Sequence, residues 1–291
     1  MYIGLTGASG MLGGAILELC SRRGWVCVPI PRSIFYGGMH GEAADVITKC
    51  DVLIHAAANT DVEYCEINPD ECYRDNYLLT ELIAGYAVRS KTKLVYISST
   101  GVYGNYQMSP YKEYNDTIPT THYHKAKLMG EVAADALTGS LVIRVGWLFG
   151  GDIDNPKNFV VRRILDAIRS NGSIVSDPTQ FGNPLYVMDA AEIILELVKD
   201  DRSGIFNCVS VEAVSRYEYV KKILEFSGCG VDVMPSEPGA FKRKASVSFN
   251  ESAINWKLNC LGYAEVPVWR DGLERYVFSI AEKISKFKSC Q

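Results

Sequence analysis

No run of about 18 apolar residues occurs in the 291-residue chain, so nothing in it reads as a membrane-spanning helix. There is no CxxC pair. The nine cysteines, at positions 20, 27, 50, 65, 72, 208, 229, 260 and 290, are odd in number and scattered. That argues against a disulfide frame and against a zinc site. Positive charge is not in excess: 30 Lys and Arg stand against 34 Asp and Glu, a net charge of −4. General nucleic-acid binding is therefore not expected. The one basic run, Lys242-Arg243-Lys244, is too short to overturn this; it suits a solvated loop or a phosphorylated small molecule. The opening MYIGLTGASGMLGG lacks the charged start and long apolar core of a signal peptide, so a cytoplasmic protein with reduced thiols is expected. There is no internal repeat and no low-complexity tract. His40, His55, His122 and His124 show no metal-ligand spacing with acids or cysteines, and no metal is expected. His55, on an apolar run, reads as a hydrogen-bonded core residue. Asp61, Glu63 and Glu66 read as acids serving a helix N-terminus.

What the sequence does contain is alternation. YIGLT (2–6), WVCVPI (25–30), DVLIHAA (51–57), KLVYISS (93–99) and SLVIRV (140–145) read as strands buried on both faces. Helical patterns at 12–23, 69–91 and 118–138 lie among them, and Asn68-Pro69 supplies a cap and first turn for the second. Strand–helix–strand repetition means right-handed crossovers and an α/β fold with a doubly wound parallel sheet. After about residue 150 the pattern changes. Helices are expected at 157–171, 189–199, 215–227 and 270–287, short strands near 174–176 and 205–207, and a Pro/Gly/basic loop at 234–245. Residues 1–150 are expected to form a dinucleotide-binding domain, rejoined by about 184–210. Residues 151–291 are expected to form a smaller mixed α/β substrate lobe covering the strand ends.

The loop GLTGASGMLGG places Gly7, Gly10 and Gly13 directly after the first strand and opening the first helix. Gly7 permits a tight turn, Gly10 lets backbone approach a pyrophosphate, and Gly13 lets the helix pack against the sheet; the helix N-terminus attracts the anion. Ser9, Met11 and Leu12 are the other cofactor contacts expected from this loop. The second strand ends without an acid to hold a ribose 2′-hydroxyl. It offers Arg32 and Ser33 instead, which favours NADPH over NADH because a guanidinium can grip a 2′-phosphate.

In THYHKAKLMGE, Tyr123 is followed by Lys125 and Lys127. Residues four apart share a helix face and residues two apart do not, so Lys127 is the tyrosine's partner. A free phenol titrates near pH ~10; a nearby ammonium lowers that value and would let it act as general acid toward a carbonyl receiving hydride. Ser98, Ser99 and Thr100 follow the strand 93–99, at the carboxyl edge where such sheets bind ligands.

The glycine loop, SSTGVYG and YHKAK, in that order, resemble an extended short-chain dehydrogenase/reductase. HAAANTDVEYCEINPDECYRDN (55–76), RVGWLFGG, KNFV and TQFGNP narrow the resemblance to the dTDP-4-dehydrorhamnose reductase branch and its sugar-nucleotide relatives. The likeness runs to about residue 275 and thins after 210. It implies that Ser99, Tyr123 and Lys127 are catalytic, that Ala56, Ala57, Ala58 and Asn76 line the cofactor, and that Trp147 packs by the sugar. By the same resemblance Thr60, Thr100 and Asn158 would contact the substrate, and Gln180, Asn183 and Arg243 would lie where the nucleotide diphosphate binds. The chain departs from the family at His124, Ala126, Thr100, Leu185 and the pair Arg243-Lys244. The expectation is an NADPH-dependent reductase of a nucleotide-activated 4-keto-6-deoxy sugar, with NADH possible and a homodimer possible. An epimerase or dehydratase that retains NAD, and a non-catalytic nucleotide-binding regulatory subunit, stay open as alternatives.

Overall fold

The computed structural model describes residues 1–36, 40–170, 172–237 and 239–289; Cys290 lies outside them. Six strands make one all-parallel sheet in the order Gly204–Cys208, Leu141–Val145, Lys93–Ser99, Val52–His55, Tyr2–Thr6, Val26–Ile30. The chain winds outward from Tyr2–Thr6 to Val26–Ile30, then crosses back to place Val52–His55 on its other side. That reversal creates a switch point at the carboxyl ends of the first and third strands, where the loops diverge and leave a crevice.

Helix Met11–Arg22 shows why the element forms. Leu12, Ile16, Leu19 and Cys20 recur on one face and are all buried against the sheet and the helix Val187–Lys199. The opposite sheet face is covered by Leu79–Ser90 and His122–Asp135, with Ile83, Ala87, Leu94, Tyr96 and Ala134 in its core. A second apolar cluster, built on Phe149, Val160, Ile164, Tyr219, Trp269 and Tyr276, fills the region after residue 148. Its short sheets pair Trp147–Phe149 with Pro184–Tyr186, and Ser173–Ser176 with Asp232–Pro235.

Several details depart from the expectations. Residues 33–36 and 40–47 are helical, where the sequence offered no clear period. The long helix expected over 69–91 is interrupted by a π-helical turn, Arg74–Leu78, which turns Asp75 and Asn76 inward. The expected loop at 234–245 begins inside the strand Asp232–Pro235. The C-terminal helix is two helices, Trp269–Ser279 and Ala281–Ser289, broken at Ile280. Among the described residues no helix is long and apolar enough to cross a membrane.

Candidate active site

The glycine loop sits at the switch point. Gly7 has φ +75°, and a Cβ there would stand 2.6 Å from the backbone nitrogen of Ala57, so the first and third strand-end loops touch. A Cβ on Gly13 would reach within 2.1 Å of the Gly7 carbonyl oxygen. Gly10 caps the helix Met11–Arg22 with no side-chain hydrogen bond and no acid in the first turn. The helix therefore presents uncompensated N–H groups beside exposed Ser9 and Gly10, a cradle that fits an anionic pyrophosphate. Met11 reaches toward Gly151, while Leu12 is buried in the core and offers only backbone. Ala56, Ala57 and Ala58 are half-buried on the facing loop, and Thr6 Oγ1 accepts the Ala57 N–H at 3.3 Å. The loop also borders a cavity of about 410 Å³ lined by Met11, Gly14, Asp152, Tyr186 and Tyr276.

At the second strand, Arg32 is partly exposed and pairs through Nη1 with Asp75 Oδ2 at 3.1 Å; Ser33 is exposed beside it. His55 is a neutral core residue. It sits between Thr6 Oγ1 at 2.6 Å and Thr80 Oγ1 at 3.1 Å, and burial pushes its pKa down to about 3.

The helix His122–Asp135 is started by Thr121, whose hydroxyl accepts the His124 N–H at 3.2 Å and lies 3.0 Å from His124 Nδ1. It lies close to the sheet because Gly130 leaves room: a Cβ there would meet the Tyr96 hydroxyl at 2.3 Å. Lys127 is buried on this helix. Its Nζ donates to the Ile97 carbonyl at 2.6 Å and stands 4.1 Å over the Tyr96 ring. Burial lowers its pKa to about 7, with Glu131 acting the other way. Tyr123 is half-buried, and burial, reinforced by Cys65 and Cys72, pushes its phenol well above the usual range. This corrects the expectation that the ammonium sets the phenol's acidity: Lys127 is committed to Ile97, and desolvation governs Tyr123. Ser99 ends its strand half-buried, with Oγ accepting the Gly101 N–H at 3.2 Å. Ser98 Oγ is buried without a partner, and Thr100 is buried.

Three of the expected contacts are buried amides that bond to backbone. Asn76, 1% exposed, bonds both the N–H (2.8 Å) and the carbonyl (3.1 Å) of Asn59. It braces the loop after the third strand. Asn158 is fully buried; it caps the helix Phe159–Arg169 and donates to Gly150, Asp152 and Tyr276. Asn183 donates to the carbonyls of Ser210 and Glu212 and accepts from Ala253 N. Gln180 is buried, its Oε1 without a partner. Thr60 and Arg243 are exposed, with Arg243 5.9 Å from the Phe241 ring. Trp147 is half-buried; its Nε1 donates to Glu251 Oε2 at 2.7 Å, and the Arg216 guanidinium lies 3.4 Å from its ring.

The three acids near residue 61 divide their work. Asp61 caps Val62–Ile67 by accepting the Tyr64 N–H. Glu66 accepts the His122 N–H, and Glu63 accepts the Lys244 N–H. Sequence reasoning missed Glu63, Glu66, Arg216 and Glu251 as site-building residues. Their partners lie 56 to 181 residues away along the chain, and no local pattern signals them.

The profile of the RmlD substrate binding domain matches residues 1–281. The chain belongs to the RmlD substrate binding domain family. A dTDP-4-dehydrorhamnose reductase of Mycobacterium tuberculosis is 29% identical over 279 residues, 92% of this chain and 90% of that one. The spore coat polysaccharide biosynthesis protein SpsK of Bacillus subtilis is 29% identical over 238 residues, 77% of this chain and 78% of that one. Among solved structures, dTDP-4-dehydrorhamnose reductase of Bacillus anthracis in complex with NADP superposes with a TM-score of 0.88. It is 25% identical and covers 96% of this chain and 100% of that one. The RmlD-type frame and the extended short-chain dehydrogenase/reductase resemblance of the sequence thus agree.

Proposed function

We propose that the protein is an NADPH-dependent oxidoreductase that reduces a nucleotide-activated 4-keto-6-deoxy sugar of the dTDP-4-dehydrorhamnose type, within deoxysugar and polysaccharide biosynthesis. The observation that carries the reading is the placement of the uncapped glycine-loop helix start, Ser99 and the start of the Tyr123 helix all at the carboxyl edge of one parallel sheet. The family match and the reductases among its relatives support a reductase over an NAD-retaining epimerase or a regulatory subunit.

When bound, the reduced nicotinamide supplies hydride to the sugar's C4 carbonyl. Gly7, Ser9, Gly10 and Gly13, with the N–H groups of Met11 and Leu12, would hold the pyrophosphate. Arg32 and Ser33 would meet the 2′-phosphate, and Ala56, Ala57 and Ala58 would line the crevice. Ser99 orients the carbonyl oxygen. Tyr123 gives it a proton, and the phenol's raised pKa keeps that proton in place until it is needed. Lys127, one turn along the same helix, would hold the nicotinamide ribose. We propose further that residues 1–150 with the strand Gly204–Cys208 act as the cofactor lobe. The rest of 151–291, with Trp147 and Arg243, grips the nucleotide sugar. Cytoplasmic residence suits such a biosynthetic reaction. Apolar Val88, Met129 and Val132, exposed on neighbouring helices, support a homodimer.

The test is a panel of 4-keto nucleotide sugars offered with NADPH or NADH, read by loss of reduced-nicotinamide absorbance. Turnover with dTDP-4-dehydrorhamnose and NADPH is expected. Tyr123→Phe should lower kcat by roughly 10²- to 10⁴-fold while leaving NADPH affinity unchanged. Undiminished turnover in that variant would remove the phenol from the reaction.

A further inference from the structure

Arg216 opens the helix Arg216–Phe226, just after its cap Ser215. Its backbone N–H is held by the Gln180 carbonyl at 2.9 Å, which fixes where the side chain starts. The guanidinium lies against two aromatic rings, 3.4 Å from the centroid of Trp147 and 5.1 Å from that of Phe159. Phe159 is in turn stacked on Tyr219, so the arrangement is rigid. Ring contacts engage the flat faces of a guanidinium and leave its in-plane N–H donors available. Among the described residues Arg216 forms no ion pair, and its nitrogens are not among the buried polar atoms that lack partners. A half-buried arginine with its donor edge uncommitted is a fork shaped for an anion.

The surroundings place that fork by the reaction. Trp147 lies two residues beyond Val145, which is paired in register with Ser99. Glu251, which holds the Trp147 indole, is close enough to act electrostatically on Arg216, on Tyr123 and on His124. Arg243 also acts on Arg216 as a like charge, and both lie near Asp177. Glu251 and Asp177 are both occupied: Glu251 takes the Trp147 N–H, and Asp177 takes the N–H and hydroxyl of Thr179. Arg216 and Arg243 thus border one region with Asp177 between them, and both carboxylates there already accept other donors, which leaves the guanidinium fork of Arg216 open to a phosphate.

We infer that Arg216, levelled against Trp147 and Phe159, is a specificity-determining residue that receives the diphosphate of the nucleotide-sugar substrate. This rests on the nucleotide-sugar reading above. It makes the indole a platform for the arginine as well as a wall of the sugar site.

The experiment measures binding of thymidine, dTMP, dTDP and NADPH by calorimetry at fixed ionic strength, to wild type, Arg216→Gln and Arg216→Lys. Wild type should prefer dTDP to thymidine by more than tenfold. Arg216→Gln should lose at least tenfold of its dTDP affinity and keep its weak thymidine binding, on the scale of a charge-assisted pair. Arg216→Lys should recover part of the loss. Unchanged NADPH affinity certifies the fold. In the kinetic arm, Arg216→Gln should raise KM for the sugar nucleotide with kcat held within a few-fold, the pattern of lost ground-state binding. Arg216→Gln binding dTDP as tightly as wild type overturns the inference, as does a wild type that does not distinguish dTDP from thymidine. Wild-type turnover of dTDP-4-dehydrorhamnose is scored separately. Its failure would sink the reductase reading and leave the arginine's binding ladder as the evidence for or against the fork.

Discussion

Lys127 is held by a single carbonyl acceptor, over an aromatic ring, out of water. Its pKa falls from 10.5 in the open chain to about 7 in the fold. Between those two values the unfolded chain binds more protons than the native one, so this residue's contribution makes stability rise with pH across that window. Below pH 7 the full cost of the buried charge is present. Lys127→Met should therefore gain stability relative to wild type at pH 7. Urea midpoints measured there and two pH units higher should show the difference narrowing, and a constant difference would contradict the assignment. At this scale the sequence was legible where chemistry is written locally. Tyr123 and Lys127 lie one helical turn apart, and Ser99 ends a strand. The structural bonds of Asn76, Asn158 and Asn183 were not legible, because an asparagine that satisfies buried backbone looks the same in a sequence as any other. Arg216 carried no signal, since its meaning comes from Trp147, which lies far from it in the chain.

Among the elements, the helix His122–Asp135 depends on a buried ion pair. Glu131 accepts from Arg144 Nε and Nη2 at 2.7–3.2 Å, joining the helix to the strand Leu141–Val145, and both residues are nearly inaccessible. Removing one partner strands the other charge, so Glu131→Gln should cost about 3–5 kcal/mol, read by chemical denaturation. Gly13→Ala tests the other critical helix. Its Cβ would collide with Gly7 backbone, and neither segment can retreat cheaply because Gly7 already abuts Ala57. NADPH affinity should fall by well over tenfold, seen by fluorescence titration. The strands and most helices were visible as apolar periods. The π-turn at Arg74–Leu78 was not, since one inserted residue leaves the surrounding pattern intact. Nor was the break at Ile280, where the apolar face continues through Ile284.

Across the whole molecule, a few polar residues tie distant segments together. Asn183 bonds to Ser210, Glu212 and Ala253; Glu63 bonds to Lys244; Trp147 bonds to Glu251. Asn183→Ala would leave two carbonyls and one N–H to find new partners. It should lose about 1–3 kcal/mol, with an unchanged denaturant slope if the molecule unfolds as one unit. The sheet's sixth strand is contributed by Gly204–Cys208, which pairs with Leu141–Val145, within the segment 184–210 where the sequence places the chain's return to the sheet. About 60 residues of other structure separate those two strands. At ribosomal speeds of ~5–20 residues per second, the fifth strand waits roughly 3 to 12 seconds, bare-edged, for its neighbour to be made. The nascent chain thus has a built-in interval of stickiness, and chaperone demand during synthesis should peak before residue 208 leaves the exit tunnel.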